Sequence, residues 1–442
     1  MNSFCRRGLL LFVSLGWVAS PANAESGHAT PSLLPLPSVA PVDASTASYN
    51  TYFSTTNSYG SAFISPKPDP AAAPATPSKD TDRTAFDESL HATGWDNTVE
   101  GCLDGCREEQ CRKGGFFGGV GGLVMGRNRA NPYWTSVDSN NNVNRLLNTQ
   151  DAGANWTGGG QVTVGYGFGG GGSCNHCDGC GGCGTYLGPG IAFTYWGVAP
   201  MTGTASIRDV NNNISTAINL DTPAPVLIGA RPASDFFNNS REQRITRDDR
   251  VDNFELNLLQ GGWTVGRMQM VALFGFRYFR FDERLSFGAA AAGTEFGDNG
   301  GADSAFLNFR TTNNLYGGQV GALFNYNVTD RFSVFMVPKA GIYSNQMNCR
   351  TLLFTGDGQF GYDIAGHKSD VAFLGEIETG LSYAFWNNWR AFLGYRVVGV
   401  ANVALADNQF LPFLADTQGF SEVKQSGSLI LHGAFMGVGW LF

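Results

Sequence analysis

Long hydrophobic runs are what this sequence of 442 residues most plainly lacks. A helix needs about 20 apolar residues to cross ~30 Å of hydrocarbon, and from Gly114 onward no such stretch occurs. An α-helical membrane protein is excluded on that ground. The apolar run from Leu9 to Val18 is only about half the spanning length. Positive charge is also scarce: 29 Lys and Arg stand against 37 Asp and Glu, a formal net charge of −8. A sequence-independent nucleic-acid binder needs a basic surface, so that class is excluded too.

What is present at the N-terminus points to export. Arg6 and Arg7 precede the apolar run, and Ala22-Asn23-Ala24 then supplies the small-x-small pattern that a signal peptidase pocket accepts. These features predict a signal peptide over residues 1–24, with mature protein starting at Glu25. From Leu33 to Pro77 the chain is rich in Pro, Ala, Ser and Thr, which cannot bury enough apolar surface to fold. Residues 25–113 are therefore expected to form a periplasmic tail. It includes a short segment with Cys102, Cys106 and Cys111, and it could contact the cell wall or a periplasmic partner.

Residues 114–442 read differently. Segments of roughly ten residues recur in which apolar and small or polar residues alternate, the pattern of a strand with lipid on one side and a lumen on the other. Val371, Phe373, Ile377, Leu381, Tyr383 and Phe385 fall on one face, with Glu376, Glu378, Gly380, Ser382 and Ala384 on the other. Phe254, Leu256 and Leu258 likewise oppose Glu255 and Asn257. Ten candidate strands lie near Phe116–Met125, Gly159–Phe168, Gly188–Val198, Val251–Val265, Arg267–Phe281, Thr311–Tyr326, Arg331–Asn345, Asp370–Trp386, Trp389–Val400 and Ser428–Phe442. Tight turns at Val265-Gly266-Arg267, 327–330 and Asn387-Asn388 alternate with long polar stretches that begin near Arg127, Ala199, Asp282, Gln346 and Ala401. Short periplasmic turns and long outer loops are the layout of a transmembrane antiparallel up-and-down β-barrel. About ten strands are expected, or twelve if a pair hides in an outer loop. A soluble β-sandwich shares the alternation but not the two loop lengths. Trp440 and Phe442, ending the last strand, are expected to act as the C-terminal assembly signal read by the barrel-assembly machinery, and outer-membrane lipid would surround the barrel.

The order of several short motifs resembles a known family. Phe254-Glu255-Leu256-Asn257-Leu258-Leu259 precedes Phe274-Gly275-Phe276-Arg277-Tyr278-Phe279 and Asp282-Glu283. Asn314-Leu315-Tyr316-Gly317-Gly318-Gln319-Val320-Gly321 and Leu431-His432-Gly433 follow. Together they resemble the planctomycete outer-membrane β-barrel family, over about Gly114 to Phe442. The resemblance implies a barrel in the outer membrane and assigns no activity. It does not reach the tail or the cysteine run.

That run, Cys174-x-x-Cys177-x-x-Cys180-x-x-Cys183, encloses His176. In an oxidising compartment it reads as a disulfide-bonded loop, completed to an even set by Cys102, Cys106, Cys111 and Cys349. Zinc held by the same thiolates is the alternative. An iron–sulfur cluster fits an exported, unfolded chain poorly. Gly165-x-Gly167-x-x-Gly170 matches a dinucleotide fingerprint, but no helix follows to meet a pyrophosphate. His367, between Asp363 and Asp370, has the makings of a general base but reads better as a solvated loop residue. His432 reads as a hydrogen-bonded wall or rim residue.

The inward positions carry the most chemistry. Glu255, Arg277, Lys339, Glu376, Glu378 and Arg396 alternate with lipid-facing neighbours, so each must be paired or hydrated in the lumen. Two function classes follow. One is a structural or surface-interaction barrel whose interior charges neutralise one another, with no catalytic residues and no cofactor. The other is a narrow pore or transporter for small polar solutes.

Overall fold

The computed structural model describes residues 114–168, 189–386 and 388–441. The predicted signal peptide, the tail, Cys102, Cys106, Cys111, the run Cys174 to Cys183 and Phe442 lie outside the described residues.

Period-two alternation gives each barrel segment one apolar face and one face of small, polar or charged residues. A strand is the only element that separates them cleanly. Ten strands result: β1 (Gly115–Arg127), β2 (Thr157–Gly167), β3 (Gly190–Arg208), β4 (Glu242–Val265) and β5 (Met268–Ala290), then β6 (Ser304–Asn327), β7 (Phe332–Thr355), β8 (Phe360–Trp386), β9 (Trp389–Val403) and β10 (Gly427–Leu441). Every one pairs antiparallel with its chain neighbour, and β1 pairs with β10 from Phe117↔Leu441 to Arg127↔Leu431, so the sheet closes on itself. Closure leaves no strand edge bare, which is what a backbone surrounded by hydrocarbon requires. Each of the ten candidate segments falls on one of these strands and meets its tight-turn end to within a few residues, but β3 to β8 run seven to ten residues further outward than expected; among the described residues no further pair joins the barrel.

The outward face defines the lipid belt. Phe274, Phe276, Leu256, Leu258, Ile342, Phe373 and Ile377 are all exposed, although in water such a surface would be a liability. At the outer boundary, Tyr195, Phe254, Tyr278 and Tyr316 form one cross-strand row with ring centroids 4.7, 5.9 and 4.8 Å apart. At the tight-turn end Trp386 pairs with Trp389 and Trp389 with Trp440. Such aromatic girdles mark the two headgroup levels. About ten residues of β5 separate them, which at ~3.3 Å per residue and ~40° tilt is about 25 Å of membrane. In the β4–β5 turn, Gly266 takes φ 58°, a left-handed conformation that glycine supplies without a steric cost.

The strands do not stop at the outer girdle. β4, β6 and β7 are each 24 residues long and β8 is 27, and 24 residues tilted by ~40° reach about 60 Å. Much of what reads as long outer loop near Asp282 and Gln346 is therefore strand. The β7–β8 connection is a turn at Gly356–Gln359. The physical reason is that alternation persists while the outward partner changes from apolar to polar. Leu285, Phe287, Leu307 and Phe309 still point inward and are buried. They meet Ile218, Leu220, Phe236 and Phe237 from the β3–β4 connection and Phe410 and Phe420 from the β9–β10 connection, forming an apolar core inside the outer extension. A small sheet of Trp134–Asp138, Asn141–Asn148 and Ile214–Thr216 also lies among the outer connections.

Candidate functional site: the charged lumen

Register brings the six predicted lumen charges together. Arg277 on β5 stands opposite Glu255 on β4, Lys339 on β7 opposite Glu376 on β8, and Glu378 on β8 opposite Arg396 on β9. Their side chains then reach across the barrel. Arg277 Nη2 donates to Glu376 Oε2 at 2.5 Å, and its Nε donates to Asn253 at 2.5 Å. Lys339 Nζ lies 3.1 Å from Glu255 Oε2, 3.2 Å from Glu376 Oε1 and 3.0 Å from Glu378 Oε1. Arg396 Nη2 reaches Glu378 at 3.2 Å and Gln161 on β2 at 2.8 Å. Gln319 and Asn257 donate to the Glu255 carboxylate. The Arg396 guanidinium also lies over Trp196 at 4.9 Å and Phe435 at 5.3 Å.

Three carboxylates therefore share two guanidiniums and one ammonium, and the formal charges cancel. Burial makes the balance compulsory: Glu255, Arg277, Glu376 and Arg396 are at most 2% exposed. An unpaired ion at such a site would carry a desolvation penalty of several kcal/mol. Apolar side chains pack on both sides of the network. Phe335, Phe392 and Phe435 lie toward the tight-turn end, and Phe279, Phe281, Leu315, Leu374 and Val398 lie outward.

A second charged group was not foreseen from the sequence. Above the outer girdle, Arg127 Nη1 contacts both Asp249 and Glu283 at 2.9 Å, and Arg247 also pairs with Glu283. The β9–β10 connection completes this cluster. Ala406 N donates to Glu283 Oε2 at 2.8 Å, and the Asp407 carboxylate accepts from Asn131 N. Two arginines thus serve three buried carboxylates, and one oxygen each of Asp249 and Asp407 has no hydrogen-bond partner. Burial, with Glu283 beside it, pushes the Asp249 carboxyl up to about 7 and that of Asp407 up to about 6. Although burial acts against it, Glu283 is held below its ordinary value by Arg127, Arg247 and the Ala406 N–H. Arg127, Arg247, Asp249 and Glu283 all occupy inward strand positions, interleaved on β4 and β5 with Ile245, Val251, Phe281 and Leu285. Extending the period-two pattern past the lipid belt would have found them.

The remaining candidates fall elsewhere. His367 is on the exposed outward face of β8; Asp363 is taken by Arg350, and Asp370 by Gln425 and the Val371 N–H. His432 Nδ1 meets Tyr395 Oη at 2.6 Å on the barrel wall. Gly165 lies in β2, where an added Cβ would come within 2.2 Å of the Phe117 ring. The glycine there serves packing, not phosphate binding. Cys349, counted in the even cysteine set, is unbridged among the described residues and is buried with Met347, Ala404 and Val423. Trp440 sits at the seam, its ring 6.0 Å from Trp389. Among the described residues no cluster of His, Cys, Asp and Glu is arranged to hold a metal ion.

A closed antiparallel barrel with an apolar belt, two aromatic girdles and a charge-balanced interior defines an outer-membrane β-barrel protein. Comparison with known families agrees: residues 244–424 match the model of a family described as "Putative beta barrel porin-7 (BBP7)". No curated protein matches the chain. Among solved structures, the outer membrane protease OmpT from Escherichia coli is 10% identical, with 74% of this chain and 96% of that chain covered at a TM-score of 0.34. A major outer membrane protein from Thermus thermophilus is 11% identical over 75% of this chain and all of its own, at a TM-score of 0.26. The translocator domain of the autotransporter NalP from Neisseria meningitidis is 10% identical over 76% and 90%, at a TM-score of 0.31.

Proposed function

We propose that this chain is a non-conducting barrel of the bacterial outer membrane that serves a structural or surface-interaction role. The observation that carries this reading is the filled lumen. The ionic network is neutral, buried and flanked by apolar layers, and the β9–β10 connection packs inside the outer half. An interior of this kind stabilises a wall and leaves little room for a solute. The outer end, in contrast, offers a cavity of about 890 Å³ among Tyr133, Trp134, Arg145, Asn219 and Asn239. It suits contact with a polar partner outside the cell. Export by a signal peptide cleaved before Glu25, tethering through the tail and insertion by the barrel-assembly machinery belong to the same proposal. So do disulfides, or zinc, at Cys174, Cys177, Cys180 and Cys183.

The refolded barrel in a planar bilayer is expected to show no stable open level at neutral pH. A steady, ion-selective conductance would establish the second reading, a narrow path for small polar solutes along Glu255, Lys339 and Glu378. The insertion proposal has its own check. Removing Trp440–Phe442 should leave the barrel unable to enter the outer membrane, scored by membrane fractionation of cells, and normal insertion of the truncated chain would defeat it.

A further inference from the structure

The outward face of the strand extensions carries a charge pattern that the lumen does not explain. Arg284, Arg310 and Arg350 occupy a single cross-strand rung on β5, β6 and β7, Arg284 paired in register with Arg310 and Arg310 with Arg350. All three are exposed, while their chain neighbours Glu283, Leu285, Phe309 and Thr351 are buried inward. Like charges directly opposite one another on a sheet face are destabilising. Two acids relieve part of this. Asp282 accepts from Arg310 at 2.9 and 3.3 Å, and Asp363 accepts from the Arg350 Nε at 2.7 Å. Arg284 has no ion pair among the described residues, although Asp248 shares its rung on the far side.

Height narrows what could complete the row. The girdle rung of Tyr278 and Tyr316 is six residues nearer the membrane along β5, about 15 Å at ~3.3 Å per residue and ~40° tilt. Girdle aromatics sit at headgroup level, so the phosphate of a glycerophospholipid would lie well below Arg284. Among membrane lipids, only one that carries its anion on an extended headgroup reaches the row. A guanidinium binds a phosphate through paired N–H donors, and adjacent strands about 4.8 Å apart let a single phosphate bridge two arginines.

We infer that Arg284, Arg310 and Arg350 form a seat for phosphate groups on the saccharide headgroup of an outer-leaflet glycolipid. This rests on the outer-membrane reading above, and the experiment separates the two. Wild-type protein is refolded into phosphatidylcholine vesicles, with folding scored by its gel mobility shift. The vesicles are then doped with lipopolysaccharide bearing phosphorylated core sugars, or with the same material after enzymatic dephosphorylation. The phosphorylated form should raise the temperature of the mobility shift, and the dephosphorylated form should not. Arg284→Gln removes an arginine without leaving a carboxylate unpaired, so it should fold like wild type in plain vesicles. Its apparent affinity for the phosphorylated lipid should fall roughly tenfold. The double variant Arg284→Gln, Arg310→Gln should lose the temperature increment altogether. An equal increment in wild type and Arg284→Gln, or an increment that survives dephosphorylation, overturns the seat. An equal increment from inorganic phosphate alone reassigns the row to a soluble anion and overturns the lipid assignment. Failure to fold in plain vesicles overturns the membrane reading together with the seat.

Discussion

Arg277→Leu is expected to destabilise the folded barrel by about 3–5 kcal/mol, the cost of removing one member of a buried ion pair. The side chain is wholly buried and is the closest basic partner of Glu376. Without it, three carboxylates face only Lys339 and Arg396, and the lumen acquires a net negative charge in a site walled by Phe279, Leu374 and Phe435. The loss should appear as a lower temperature, or a lower urea midpoint, for the transition from the folded to the unfolded gel mobility. Arg277→Leu combined with Glu376→Leu should recover much of it. The pair leaves together, and Glu255 and Glu378 keep Lys339 and Arg396 as counterions. If the double variant proved no more stable than the single, charge balance would not be what holds this layer together.

The second large effect is a dependence on pH that runs opposite to ordinary acid denaturation. Asp249 and Asp407 hold their protons up to about 7 and about 6 in the folded state, against an ordinary value of about 4 for an unfolded chain. Between those limits the folded protein binds more protons than the unfolded one, so stability falls as pH rises. The advantage is complete below about pH 4 and is lost once pH passes the folded values. Glu283 is shifted downward, so its stabilising contribution is constant above its ordinary value near ~4, is lost only on further acidification, and does not disturb the window. The folded barrel should therefore lose stability of order 4 kcal/mol between about pH 5 and pH 7.5. Asp249→Asn should flatten that slope and be more stable than wild type at pH 8. A wild-type profile that is level or rising through this window would contradict the assignment of held protons to the outer cluster.

The alternation that locates the ten strands was legible because the membrane enforces it. Residues such as Phe254, Leu256 and Leu258 can face lipid only if Glu255 and Asn257 turn inward. The same constraint made the lumen charges readable residue by residue. Above the girdle the constraint disappears. Asp248, Arg250 and Arg284 face water while Arg247, Asp249 and Glu283 face the interior, and a segment charged on both faces resembles a loop. Strand lengths and the outer cluster were lost for that reason. The surviving trace was apolar, in Ile245, Val251, Leu285, Phe287, Leu307 and Phe309, which keep the period of two. The involvement of Asp407 had no local trace at all, because a connection folding back into the barrel is a tertiary event.

The seam between β1 and β10 has a consequence for how the molecule is made. It joins residues about 300 positions apart, and long-range pairings of this kind form late because loop-closure entropy must be met first. Glycine occupies Gly118, Gly119, Gly121 and Gly122 on one side and Gly433, Gly437 and Gly439 on the other. A Cβ at Gly121 would approach Met436 O to 2.5 Å, and one at Gly437 would approach Val120 O to 2.3 Å. The two strands can therefore dock only with bare backbone facing bare backbone at these points. Until that moment both edges are open templates for any other strand. The interval between synthesis of β1 and arrival of β10 is thus when the chain is most exposed to mispairing, and a bulkier residue at Gly121 or Gly437 would lengthen it.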